Sequence, residues 1–359
     1  MSGERTTVLV TGVAGNLGQR LLPQLSAWDV LGVDMAVPPP GSPARFQSMD
    51  LAEESSCEEL VALLRQSGAS AVVHLAFVID PQRTGVLDVE RMWRINVVGT
   101  ARVCEAIAVV NRTGGSVQKF IFPSSVSAYG PETQGPVTES HALGAHTLPY
   151  AVHKQESDQV VQERAASLGA CRTYILRPHI FTGATMQNYL VGVLRGTPTG
   201  KSKRAERWRA RGKRLPMTLP YGDEYPEKKL QFVHVDDMAR LVAHILQRPE
   251  GDPELTILNV AAPGEPISLA RCAEIAHTRI QRAPRWLIRF MLRRMWNWGI
   301  TAIPPEALPY MVGSYTMNTR KLENFLGPDY RQVMQHNVEE ALADSFQPPA
   351  AGRQPPAGS

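Results

Sequence analysis

The chain has 359 residues, 43% hydrophobic and 20% charged, with a formal net charge of +4. That length buries a sizeable core as one large α/β domain or two smaller ones, and that composition excludes a disordered or fibrous chain. The small charge balance speaks against nucleic-acid binding, and four scattered cysteines (Cys57, Cys104, Cys171, Cys272) speak against a disulfide framework or a metal site.

The start, MSGERTTVLV, lacks the layout of a signal peptide, and no apolar run reaches the length of about 18 residues that a membrane span needs. A cytoplasmic protein is expected. Short apolar runs at 6–10, 29–34, 70–76, 119–125 and 172–178 alternate with helical-period segments near 16–27, 52–66, 88–110 and 149–168. This is the pattern of a parallel sheet covered on both faces, an α/β doubly wound architecture of the Rossmann type. Two later runs, 230–235 and 255–261, are expected to return to the same sheet, with a helix from Asp236 between them. Residues 1–179 with 230–262 would then form the nucleotide domain. Residues 180–229 with 263–346 would form a smaller, mostly helical substrate domain. The Pro/Ala/Gly-rich tail 347–359 is expected to be disordered.

The first run leads through Gly12, Gly15 and Gly18 into a helix, with Asn16 and Leu17 at the turn. Glycines there permit a tight turn and close backbone approach to a pyrophosphate, though a helix start needing glycine for packing has the same look. The second run ends in Asp34, 22 residues after Gly12, where a carboxylate suits a ribose diol and repels a 2′-phosphate, favouring NAD over NADP. Asp50 with Leu51 follows a short strand and is a candidate for the adenine edge. Leu75, Ala76 and Phe77 end the third run, where small Ala76 lets a cofactor lie close. His74 is expected to be a satisfied core histidine.

The fourth run ends at Ser124 and Ser125, at the carboxyl end of the sheet where ligands bind in such folds. A helix then begins at Pro149 and carries Tyr150 and Lys154 on one face. Taking a hydroxyl proton during hydride transfer needs a base, and a nearby ammonium lowers a tyrosine that ordinarily titrates near pH 10.

Together TGVAGNLG, HLAF, NVVGT, SSVSAYG, YAVHK, LRPHIFTG and FVHVDDMA resemble the extended short-chain dehydrogenases/reductases of the NAD-dependent epimerase/dehydratase type. The resemblance implies Tyr150 as acid/base, Lys154 as the group that lowers its pKa and holds the ribose, and Ser125 as the hydroxyl orienting the substrate. It also brings in Asn96 of NVVGT and Pro178 beside the nicotinamide, with Ser124 and His179 toward the substrate. Asp236 and Asp237 are expected to cap a helix and anchor the domains.

Within that family the approach to the tyrosine resembles nucleotide-sugar enzymes, with His146 in place of a proline, and residues 219–237 resemble a second segment of theirs, with the arginine commonly seen near it missing. No acidic pair follows the serine, which argues against a sugar dehydratase. The lead expectation is an NAD-dependent oxidoreductase or epimerase acting at a secondary alcohol, in a homodimer formed through helices flanking the active-site helix. The alternatives are a hydroxysteroid- or terpenoid-type alcohol dehydrogenase and a nucleotide-sensing protein without turnover.

Two basic stretches stand apart. Residues 200–216 hold eight basic residues and one acidic, suiting a diphosphate or carboxylate, or else a solvated loop. Residues 285–299 form a basic amphipathic helix that either packs on its own domain or meets a membrane surface or a greasy substrate.

Overall fold

The computed structural model describes residues 6–348 apart from 43, 80–84, 86–87, 213 and 250, so most of the tail expected to be disordered lies outside the described residues. Seven strands make one parallel sheet: β1 (Thr7–Thr11), β2 (Asp29–Asp34), β3 (Arg45–Ser48), β4 (Ala71–His74), β5 (Lys119–Pro123), β6 (Arg172–Pro178) and β11 (Leu255–Val260). Their order is β11-β6-β5-β4-β1-β2-β3, and every pairing is parallel. The order reverses between β1 and β4, which opens a crevice at the carboxyl ends of those two strands.

Central strands such as β1 are buried along their whole length because helices cover both faces. On one face α1 (Asn16–Leu21) and α8 (Val235–Gln247) close over Val8, Val10, Ile121 and Leu258. On the other, α2 (Ser56–Ser67) and, after the short α3 (Val89–Trp93), α4 (Gly99–Arg112) close over Leu9, Val72, Phe120 and Ile175. The first helix is shorter than the periodicity suggests, because Pro23 lacks the N–H that α continuation needs and the chain tightens into a 3₁₀ turn at Leu22–Leu25.

One of the two expected returning strands does not return. β11 takes the edge beside β6, but β10 (Phe232–His234) pairs with β7 (Ile180–Thr182) in a separate two-stranded sheet. The edge position is already filled, and the run has partners elsewhere. Leu230 and Phe232 enter the apolar cluster of the second half of the chain, while Val233 enters the main one. That second half also carries α6 (Tyr189–Arg195), α7 (Lys203–Ala210), β8 (Met217–Pro220) paired with β13 (Ile280–Ala283), β9 (Lys229–Leu230) paired with β12 (Ile267–Ser268), α9 (Leu269–Ile275), α10 (Arg285–Asn297), α11 (Leu308–Val312) and a helical C-terminal segment. The basic run is therefore a helix, α7, and not a loop; Ser202 caps it through the Ala205 N–H. Lys213 of that run lies outside the described residues.

The Tyr150–Lys154 helix, α5 (Pro149–Arg164), starts where expected, with Pro149 in the first turn after an extended Leu148. Its buried face is polar: His153, Lys154, Ser157 and Asp158 are all inside. Asp158 receives a two-pronged contact from Arg177 of β6, at 2.9 Å for both Nε and Nη2, with both side chains almost fully buried. Arg177 Nη1 donates to the Tyr129 hydroxyl (2.7 Å) and the Glu139 carbonyl (3.0 Å), and Tyr129 donates on to Asn259 Oδ1 of β11 (2.8 Å).

Removing one partner of this pair strands a buried charge. Asp158→Ala should cost about 3–5 kcal/mol, seen as a lower urea midpoint, whereas Arg177→Met combined with Asp158→Leu should recover most of that loss. A midpoint unmoved by Asp158→Ala contradicts the assignment.

Candidate functional site

The turn after β1 is pressed against the end of β4. Gly12 has φ 69°, and a Cβ there would stand 2.5 Å from the Ala76 nitrogen and 2.6 Å from the Leu75 carbonyl carbon. Only glycine fits, for conformation and for space. Gly18 is constrained by space alone, since a Cβ would lie 2.6 Å from the carbonyl oxygens of Gly12 and Val13. Gly15 precedes α1 as its N-terminal flanking residue.

Asp34, at the tip of β2, holds this turn: its Oδ2 accepts from Ala14 N–H (2.9 Å) and its Oδ1 from Ala36 N–H (3.1 Å). Asn16 reaches across to the Thr185 carbonyl (3.1 Å), and Leu17 packs on the main core. Asp50 accepts from Ala52 N–H and pairs with Arg91 at 2.7 Å, while Leu51 is buried beneath it. A tight glycine turn, the start of a helix and a carboxylate on the neighbouring strand lie together at the crevice, and these residues fit an anionic dinucleotide.

His74 is a satisfied core residue. Its ring spans Thr11 (2.7 Å) and Thr100 (3.0 Å), and burial, with the Lys154 charge adding to it, pulls it down to about 3. Asn96 is also structural in its contacts, closing both backbone groups of Val78 and meeting His153 at 3.3 Å. Pro178 is buried at the end of β6. Beyond it, His179 stacks on Tyr315 with ring centres 5.3 Å apart. Its Nδ1 accepts from Ile180 N–H and its Nε2 meets the Tyr315 carbonyl at 2.8 Å, so both nitrogens are engaged within the chain.

The reacting groups gather at the carboxyl end of β5. Ser125 flanks a 3₁₀ turn (Val126–Tyr129), with its Oγ 2.7 Å from Ser127 Oγ. Ser124 Oγ is buried and has no protein partner. Tyr150 meets Phe77 edge-on at 5.9 Å. Burial pushes its pKa above the usual value, and hydrogen bonding with Ser125 and Ser127 draws it partly back. Lys154 donates to the Pro123 carbonyl at 2.7 Å and sits 3.6 Å from the centre of the Phe77 ring. Burial pulls it down to about 7, against the opposing charge of Asp158.

The serines, and not the lysine, are thus the groups that oppose burial at Tyr150. Ser127 was not among the expected site residues, although its place two residues after Ser125 on a tight turn is visible in SSVSAY. The expected helix cap is also corrected. His234 caps α8 through the Asp236 N–H, while Asp237 binds His336 (2.8 Å) and so anchors the C-terminal segment. His234, Asp237 and His336 converge closely enough to hold a metal ion, but Asp237 is already paired with Arg240.

A family described as NAD dependent epimerase/dehydratase matches residues 8–261. The UDP-glucose 4-epimerase of Erwinia amylovora is 26% identical over 252 residues, covering 65% of this chain and 71% of that enzyme. The dTDP-6-deoxy-L-talose 4-dehydrogenase (NAD(P)(+)) of Kitasatospora kifunensis is 30% identical over 186 residues, 51% of this chain and 54% of that enzyme. Among solved structures, the UDP-glucuronic acid 4-epimerase of Bacillus cereus superposes with TM-score 0.64 at 18% identity, covering 95% of this chain and 98% of that one. MoeE5 in complex with UDP-glucuronic acid and NAD gives 0.63 at 22% identity, covering 95% and 97%. Both structures share the fold.

A lysine held near 7 while its unfolded counterpart titrates near 10.4 makes folding depend on pH. Between those values the unfolded chain binds more protons, so stability rises with pH. The melting temperature of the native chain relative to Lys154→Met should therefore climb from pH 7 to pH 10. A flat difference contradicts the burial of a titrating lysine.

Proposed function

Because the chain belongs to the NAD dependent epimerase/dehydratase family, with NAD as its cofactor, we propose that Tyr150, Lys154 and Ser125 interconvert epimers of a nucleotide sugar at a secondary alcohol. The observation that carries this reading is the convergence of Tyr150, Ser125 and Ser127 at the carboxyl end of β5, joined through Phe77 to the Leu75–Ala76 backbone that presses on the Gly12 turn. The UDP-glucose 4-epimerases among the relatives support the nucleotide sugar and the return of the hydride.

When bound, NAD supplies the acceptor for the carbinol hydride and gives it back. The chain's own groups manage the proton and the geometry. Tyr150 takes the hydroxyl proton as the carbonyl forms and restores it as the alcohol re-forms. Ser125 holds the substrate oxygen, with Ser127 completing the hydrogen-bond relay. Lys154, tied to the Pro123 carbonyl and lying over the Phe77 ring, would hold the ribose, while the two serines favour the tyrosinate. Gly12, Gly15, Asn16, Gly18 and Asp34 would hold the dinucleotide, with Asp50 and Leu51 toward the adenine and Leu75, Ala76 and Phe77 along its flank. Helices flanking α5, α4 among them, would form a homodimer.

A second reading is net oxidation of an apolar alcohol, favoured by the apolar cluster of Leu148, Ile303 and Tyr310 that packs on Tyr150.

With NAD and UDP-glucose, the chain should form UDP-galactose with no build-up of NADH absorbance. Tyr150→Phe should lower turnover by about 10²–10⁴-fold while NAD still binds. Steady NADH production with a hydroxysteroid and none of the sugar product would select the second reading. Unchanged turnover in Tyr150→Phe sinks the mechanism under either.

A further inference from the structure

The site described above uses neither of the two basic stretches, and the fold places them side by side. Gly200 N–H donates to the Ile300 carbonyl (2.9 Å) and Ser202 N–H to the Gly299 carbonyl (3.1 Å). These contacts join the start of α7 to the end of α10. Arg204 of α7 lies over the Trp298 ring at 5.4 Å.

The inner side of α10 is accounted for. Ile288 is buried, and Leu292 packs against the apolar cluster that also holds Tyr150. The outer side carries Trp286, Phe290, Arg294 and Trp298 at four-residue steps, which on a helix form one ridge. Trp286 is 70% exposed, Phe290 53% and Trp298 49%, with Met291 beside them. Arg294 lies over both Phe290 (5.4 Å) and Trp298 (5.9 Å), and exposed Arg285, Arg289 and Arg293 flank the ridge. Four large apolar side chains thus face water on one side of the molecule.

Charge is segregated to the same place. Residues 201–211 and 285–299 together hold ten of the chain's 38 Lys and Arg but only one of its 34 Asp and Glu. The rest of the molecule is therefore net acidic, so the basic excess belongs to this face.

We propose that the α7–α10 face docks on an anionic phospholipid bilayer. Tryptophan, phenylalanine and methionine enter the headgroup zone while guanidinium groups on either side meet lipid phosphates. α10, about 20 Å long, lies in the plane of the surface. No described helix is long and apolar enough to cross a membrane, so the contact is peripheral. A nucleic acid would satisfy the cations but would leave the aromatic ridge without an apolar phase, which is why the bilayer is the occupant.

The test uses the full chain with sedimenting vesicles of phosphatidylcholine alone or with one quarter phosphatidylserine. Binding should require phosphatidylserine, shift tryptophan emission to the blue, and weaken as salt rises. Trp286→Ala/Phe290→Ala and Arg289→Glu/Arg293→Glu should each lower it by about tenfold or more, with melting temperatures unchanged. No binding to the phosphatidylserine vesicles overturns the proposal. So does binding that both double variants retain. Tighter capture by duplex DNA than by vesicles, or a change in oligomeric mass in the aromatic variant, assigns the face to another occupant and overturns it equally.

Discussion

The site depends on one buried ion pair. Asp158 stands four residues beyond Lys154 on the inner face of α5, and Arg177 reaches it from β6 with two hydrogen bonds. Through Tyr129 and Asn259 the same guanidinium ties the turn that follows Ser125 to the sheet edge. The helix bearing Tyr150, the strand end bearing Ser125 and the entry to the second half of the chain are thus fixed by a single desolvated network. Such a network is costly to leave half-satisfied, so it specifies one arrangement more than it adds stability.

Around that framework, Tyr150 sits between two apolar clusters, Leu148–Ile303–Tyr310 on one side and Val78–Met92–Ile95 on the other. Burial acts in opposite senses on the two titrating groups, raising the tyrosine and lowering the lysine. Both shifts favour uncharged forms. The serines and the Pro123 carbonyl supply the polar contacts through which a proton can be held and passed.

The glycine turn, the Asp34 position and the alternation of parallel strands with helices were legible because each rests on local chemistry: a backbone conformation, a strand end, a run of apolar residues. The partner of β10 was not legible. A run such as LQFVHV announces burial but not against what, and its alternate residues enter two different cores. α5 was found through Pro149 and the Tyr–Lys spacing, since its polar inner face leaves no apolar stripe to read. Arg177 was in view within LRPHIFTG, yet its pairing with Asp158 is a matter of tertiary distance. The basic run left an anion site and a solvated loop both open, because charge alone does not fix a conformation; Ser202 and the Arg204–Trp298 contact make it a helix with a place on the surface.

The central claim is that the carbon-bound hydrogen of the substrate travels as a hydride while Tyr150 handles only the oxygen-bound proton. The most direct measurement follows UDP-glucose deuterated at sugar carbon 4 through turnover in ordinary water. The account predicts UDP-galactose that keeps its deuterium on that carbon. Replacement of the deuterium by solvent hydrogen would contradict it, because the carbon would then have been deprotonated and the hydride chemistry assigned to this site would be wrong.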